Sequence, residues 1–402
     1  MHRILVDEKK WVEEQRYLHA LNFCMLLPGP EAQKLATYVG WLLHGVRGGL
    51  AAGILFVLPG ALVMLALSLL YVLGSGVPAV DGALFGIKAA VLVIVVEALV
   101  RIGRRSLKTR FLLGLAGLAF IGIHFLDLPF PLLVAAAALA GYWSSPELLG
   151  LKPGAPAATA PVPGRWRQAA VTGAIGLVLW WAPVVLVAIL LGPQHVLADI
   201  GLFFSKLAVV SFGGAYALLA YMAQEAVEAY RWMSATEMVD GLGLAETLPG
   251  PLIKVTQFVG FLAAYRDAAP FSPIAAGILG SALTTWVTFV PPMLLIFAGA
   301  PFIEQLRANR RLSGALAAVT AAVVGVILNL TVWFALHVLF GQVAEMRSGP
   351  LRWYAFDPLA VDLRALALAA VAAVLAFRLR RSLLEMVLAM AALGVAVRLL
   401  LV

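Results

Sequence analysis

Of 402 residues, 62% are hydrophobic and only 12% charged. That mixture lies outside the range of soluble globular domains, so the chain is a polytopic membrane protein and not a soluble enzyme or binding module. The formal charge of +8 sits mainly in short segments between apolar runs, which points to orientation in a membrane and not to nucleic acid.

Residues 1–16 are dense in both charge signs, which excludes a signal peptide and predicts an interfacial helix. A short apolar helix then runs to Leu27, breaks at Leu27-Pro28-Gly29-Pro30, and resumes through about His44. Spans follow at about 48–74 and 81–103, with a tight pair at 111–126 and 129–144. Residues 145–170, rich in Pro, Ala and Gly, form a linker between two halves, 1–144 and 171–402. The second half opens with a span at 171–192 and another at about 199–227 that carries Ser211-Phe212-Gly213-Gly214. Next come a broken segment at 235–266 and spans near 273–303, 312–341, 362–379 and 383–402. The alternating segments of a β-barrel are absent, so the fold class is an all-α membrane protein. The single cysteine, Cys24, excludes an intrachain disulfide and reads as a buried small hydrophobe.

The broken segment at 235–266 carries Leu248-Pro249-Gly250-Pro251, the same four residues that interrupt the first half. A Pro-Gly-Pro core cannot continue a helix: the first proline lacks an N–H, glycine frees the backbone, and the second proline suits the first turn of a new helix. In a membrane such a break is tolerated only where protein or a water-filled cavity satisfies the backbone, and the free N–H groups with the positive dipole end favour an anion.

The two breaks belong to a longer repeat. Trp11 matches Trp232 and Pro28 matches Pro249 at an offset of 221, while Pro59 matches Pro291 and Gly82-Ala83-Leu84 matches Gly314-Ala315-Leu316 at 232. Ala51-Ala52-Gly53-Ile54-Leu55 recurs identically as Ala275-Ala276-Gly277-Ile278-Leu279. At the first offset Met1 falls on Met222, so residues 211–221 have no first-half counterpart, and an N-terminally truncated or misassigned start is expected. Arg101, Arg104, Arg105, Lys108 and Arg110 place one loop in the cytoplasm, as do Arg307, Arg310 and Arg311. Matching spans then exit on opposite sides, which predicts inverted-topology repeats with a substrate site at mid-membrane. Whether each broken segment crosses or re-enters is open from sequence.

Residues 1–11 with LNFCMLLPGPEAQKLATYVGW, and SFGGAYALLAYMAQE with LAETLPGPLIKVTQFVGF, closely resemble the two halves of bidomain chromate transporters. The resemblance implies a multi-pass protein of a bacterial plasma membrane that exports chromate, coupled to the proton gradient, with sulfate as a competing oxyanion. The chain departs from the family in lacking the first FGGP-type helix and in reading Gly213-Gly214-Ala215 where a proline usually follows the glycines.

Several residues are candidates for that anion site, beginning with the break residues Pro28, Gly29, Pro30, Pro249, Gly250 and Pro251. Lys254, in the first turn after the second break, is placed to hold a dianion together with free N–H groups; its alternative is a lysine snorkelling to the interface. Its first-half counterpart is Gln33, with Lys34 next. Lys88 is costly in an apolar span unless it faces a cavity or a carboxylate, and its repeat partner is Thr320. Glu97, the partner of Asn329, reads as an interfacial charge beside the arginine loop. Lys206 is either a cavity cation or an ion-pair partner. Glu246 and Asp240 suit a proton-coupled exchanger whose acids are neutral in one state, the alternative being ion pairs with Lys254 or Lys206. Ser211, Gly213, Gly214, Thr247, Thr256 and Thr320 complete the set, each hydroxyl either donating to an oxyanion or bonding back to its own helix. His19, His124 and His337 show no ligand spacing, so no metal is expected. The expected partners are chromate or sulfate, the bilayer and a second copy in a homodimer, with no cofactor and no nucleic acid. The competing functions are sulfate uptake, a membrane-embedded enzyme, for which no HExxH or nucleotide-binding loop is present, and a structural subunit.

Overall fold

The apolar runs become helices, and what distinguishes them is where proline and glycine interrupt them. The computed structural model describes residues 1–151, 165–211, 215–248, 252–299 and 310–400. Among these, six helices are long and apolar enough to cross a bilayer: Glu31–Leu73, Pro78–Ser106, Ala169–Leu191, Pro273–Gly299, Arg311–Leu339 and Leu383–Leu400. In chain order the helices are α1 (Glu14–Leu26), α2 (Glu31–Leu73), α3 (Pro78–Ser106), α4 (Arg110–Phe125), α5 (Phe130–Trp143), α6 (Arg165–Leu191) and α7 (Val196–Val210). Then come α8 (Ala215–Gln224), α9 (Ala235–Glu246), α10 (Val255–Arg266), α11 (Pro273–Gly299), α12 (Arg310–Leu339), α13 (Leu363–Ala373) and α14 (Leu383–Leu400). The first residues make one wide helical turn, Arg3–Glu8, and α6 starts inside the stretch assigned to the linker.

At both LPGP segments the flanking helices fold back on one another. The rings of Phe23 on α1 and Tyr38 on α2 lie 6.0 Å apart, whereas in one straight helix they would be about 22 Å apart. In the second half, a Cβ on Gly241 of α9 would meet the Phe258 ring of α10 at 2.4 Å. The helices flanking each interruption thus pack side by side as a helical hairpin. The run at 199–227, expected as one span, does the same: Phe203 of α7 lies 6.0 Å from Tyr221 of α8. Glycine-for-glycine contact then closes the next turn. Helix α2 reverses at His44 and Gly45 (φ 62°, ψ −153°), and a Cβ on Gly40 would meet the Gly48 carbonyl at 2.4 Å. A short limb, 31–43, therefore lies against a long limb, 46–73. Gly45 takes a backbone conformation that a side chain would strain.

The long limb of α2 and its repeat counterpart α11 run antiparallel. A Cβ on Gly49 would meet Phe297, and one on Gly53 would meet Met293, so one helix ascends as the other descends. Repeat-equivalent helices crossing in opposite directions are the geometry of inverted repeats. The α1–α2 hairpin enters from the face that carries the α3 arginines, which the positive-inside rule assigns to the cytoplasm, and the α9–α10 hairpin from the opposite, outer face. Arg378, Arg380 and Arg381, between α13 and α14, also fall on the cytoplasmic side. Large apolar side chains such as Ile189 and Leu190 of α6 remain exposed, which suits a lipid-facing surface.

One element was not anticipated: an antiparallel β-hairpin, β1 (Val343–Ser348) and β2 (Leu351–Phe356), with Val343 opposite Phe356. It lies on the outer face, where Arg352 is almost fully buried. The Arg352 guanidinium donates to Asp127 and Glu228, both at 2.9 Å, and to the Ile123 carbonyl at 2.8 Å. One arginine thereby ties the α4–α5 turn, the end of the α8 segment and the β-hairpin together.

Candidate functional site

The second hairpin brings a lysine to the centre of the bundle. A single 3₁₀ turn, Leu252–Lys254, opens α10, and Lys254 is 2% exposed. Its ammonium rests on α2: a Cβ on Gly60 would lie 1.4 Å from Lys254 Nζ, so the cation fills the volume that any larger residue at position 60 would occupy. Among the described residues no carboxylate forms an ion pair with it. One turn on, Gln257 Nε2 donates to the Ala61 carbonyl and to Ser281 Oγ, both at 2.8 Å.

The first hairpin mirrors this against α11. Gln33 Nε2 donates to the Phe289 carbonyl at 3.0 Å, and Gly29, with φ +99°, packs so closely on Pro292 that a Cβ would meet its ring at 2.4 Å. The amide of Gly29 also donates to the Ser211 carbonyl at 3.1 Å, joining the LPGP tip to the end of α7. Each glutamine bonds to a carbonyl two residues from the repeat-matched proline, Pro59 or Pro291. Lys34, 1% exposed, turns inward and donates to the Leu27 carbonyl of its own hairpin. Around these tips Gln33 Oε1, Thr37 Oγ1, Gln257 Oε1 and Thr288 Oγ1 are buried without hydrogen-bond partners.

Lys88 occupies a different place. Its ammonium is 3.0 Å from Asp240 Oδ1, and Tyr71 Oη donates to Asp240 Oδ2 at 3.0 Å. The three line a cavity of about 370 Å³. Lys254 is not among the cavity's lining residues. The partner of Asp240 is therefore Lys88, and neither Lys254 nor Lys206.

The remaining candidates divide by environment. Lys206 is exposed and sits 5.5 Å above the Tyr221 ring. Ser211, Thr247, Thr256 and Thr320 each donate back to a carbonyl of their own segment at 2.7–2.8 Å, leaving the hydroxyl oxygen free to accept. Glu246 is buried. Glu97 pairs with Arg101 at 3.6 Å. His124 bonds to Asn329 at 2.7 Å and His337 to the Trp333 carbonyl. Gly213, Gly214, Pro249, Gly250 and Pro251, and the side chain of His19, lie outside the described residues. Sequence reasoning missed Thr37, Gln257, Thr288 and Tyr71. The only signal for Gln257 was its position one turn beyond Lys254.

The model of a family described as chromate transporter matches residues 1–142 and 198–396. A chromate transport protein of Pseudomonas aeruginosa is 34% identical over 337 residues, covering 81% of this chain and 73% of the relative. A probable chromate transport protein of Synechococcus elongatus is 28% identical over 376 residues, 91% of this chain and 88% of the relative. One from Cupriavidus metallidurans is 28% identical over 332 residues, 81% and 74% of the two chains. No solved structure matches. With a family match across both halves and a relative 34% identical over four-fifths of this chain, this multi-pass membrane protein belongs to the chromate transporter family.

Proposed function

We propose that the protein exports chromate across a bacterial plasma membrane by alternating access, its inverted halves rocking about an oxyanion site at the hairpin tips, with movement coupled to protons. The observation that carries this reading is Lys254: a cation 2% exposed, at the opening of a half-helix, with no ion-pair partner among the described residues. A buried ammonium without a counter-charge is costly, and a dianion that docks on it removes the cost. The Thr37 and Thr288 hydroxyls, on α2 and α11, are buried without hydrogen-bond partners and are donors suited to tetrahedral oxygens. Sulfate shares that charge and shape, so it competes. For a dianion leaving the cell, an inside-negative potential contributes about 4.6 kcal/mol per 100 mV. The experiment is labelled chromate uptake into inverted membrane vesicles, with and without a pH gradient and with excess sulfate. Energised accumulation that sulfate reduces and Lys254→Gln abolishes is the expected result. Accumulation only in right-side-out vesicles would make the protein an importer, and no flux in either orientation would remove the transport reading.

A further inference from the structure

The outer cavity holds a second charged device that the tip site does not use. It is lined by three cations, Lys88, Arg364 and Arg398, and three carboxylates, Asp81, Asp240 and Asp362. Asp362 is committed to the start of α13, accepting from the Arg364 and Ala365 amides at 2.8 and 3.1 Å. Asp240 is the deepest of the acids, 4% exposed, and Lys88 and the Tyr71 hydroxyl hold it from α3 and α2. Glu237, one turn away on α9, is itself paired with Arg266 of α10. Apolar contacts flank the pair: the Tyr71 ring meets Phe258 edge-on at 5.1 Å, and Ile87 packs on Gly243.

With every group charged, the lining is neutral and holds no net attraction for an anion. An oxyanion that takes the Lys88 ammonium leaves Asp240 buried, ionised and beside a dianion, an arrangement that costs several kcal/mol. Protonation of Asp240 relieves that cost, keeps the Tyr71 contact and leaves the lining with one excess positive charge. The device is confined to one half, because the repeat equivalents of Lys88 and Asp240 are Thr320 and His19, residue types that form no lysine–carboxylate pair.

Resting on the transport reading above, we propose that the outer cavity is an oxyanion-binding station in which the anion displaces Asp240 from Lys88 and Asp240 takes up one proton, so that oxyanion and proton bind together. The proton comes from water at the outer face and is released when the anion leaves.

Proton uptake on binding is measured by titrating the purified full chain with chromate in buffers of different ionisation enthalpy, in the alkaline range where chromate is a dianion. In a Lys254→Gln background, which removes the tip site, the protein is expected to take up about one proton per chromate and to lose affinity about tenfold per pH unit above the binding transition. In the same background Asp240→Asn is expected to bind without proton uptake and without that pH dependence, and Lys88→Gln to lose about tenfold or more in affinity. The double variant Lys88→Gln/Asp240→Asn, which leaves no buried charge, tests folding and is expected to stay monodisperse and to bind as weakly as Lys88→Gln. Chromate binding in that background without proton uptake, or binding there unchanged by Lys88→Gln, overturns the station and leaves the transport reading standing. A parent that binds no chromate at any pH removes both.

Discussion

The two LPGP hairpins share their scaffold and differ in what their lysines do. Each hairpin packs on the other repeat's proline-containing helix, and each has a glutamine bonded to a carbonyl of that helix. Yet Lys34 turns back onto the Leu27 carbonyl of its own hairpin, whereas Lys254 lies on Gly60 of the opposite repeat with no ion pair among the described residues. Duplication copied the geometry, and the chemistry then diverged. Backbone features such as breaks and close glycine contacts survive because packing demands them. A single charge can be internally satisfied in one copy and left available in the other.

The sharpest way to separate scaffold from chemistry is a pair of glycine substitutions. Gly29→Ala adds a side chain at φ +99° against the rigid Pro292 ring and is expected to cost roughly 2–5 kcal/mol of stability, read as a large fall in Tm. Gly60→Ala meets only the flexible end of Lys254, so the fold is expected to hold while chromate binding falls with the displaced ammonium. Equal loss of Tm in both would erase the distinction.

A smaller effect tests the shared part. Gln33→Leu removes one buried hydrogen bond and Gln257→Leu removes two, with expected costs of about 1 and about 2 kcal/mol, which are expected to add in the double variant because the two glutamines share no hydrogen-bond partner. If only one substitution lowers Tm, the tips are not structural equivalents.

A further effect lies outside the hairpins, in the outer clasp. Burial pushes the Glu228 carboxyl up to about 7, with Arg352 opposing the shift. A carboxyl raised on folding contributes stability that is full below its ordinary range and is lost as pH rises through about 7. Tm is therefore expected to be lower at about pH 8 than at about pH 5, and Glu228→Gln to flatten that slope, since Arg352 keeps Asp127 at 2.9 Å. A Tm that rises with pH in the parent would contradict this sign.

The repeat and its inverted sense were legible because identical tetrapeptides and clustered arginines are local sequence facts. Re-entry was not, since an apolar half-helix has the same periodicity whether it crosses or returns. The 199–227 run failed for that reason. The β-hairpin escaped notice because Val343–Ser348 and Leu351–Phe356 are largely exposed on both faces, without the pattern of a half-buried strand. The burial of Lys254 followed from its spacing after the break, but the bond between Lys88 and Asp240 joins residues 152 positions apart, and nothing local in either stretch names the other.

The central claim is that Lys254, and not Lys34, is the cation of the oxyanion site. Chromate dissociation constants for Lys254→Gln and Lys34→Gln, measured side by side on the purified protein with Tm recorded for each, test it directly. The account predicts that Lys254→Gln weakens binding by about 1–3 kcal/mol, roughly 5- to 150-fold, with little change in Tm, and that Lys34→Gln lowers Tm while chromate binds as in the parent. Parent-like binding by Lys254→Gln, or an equal loss of affinity in both, would contradict it.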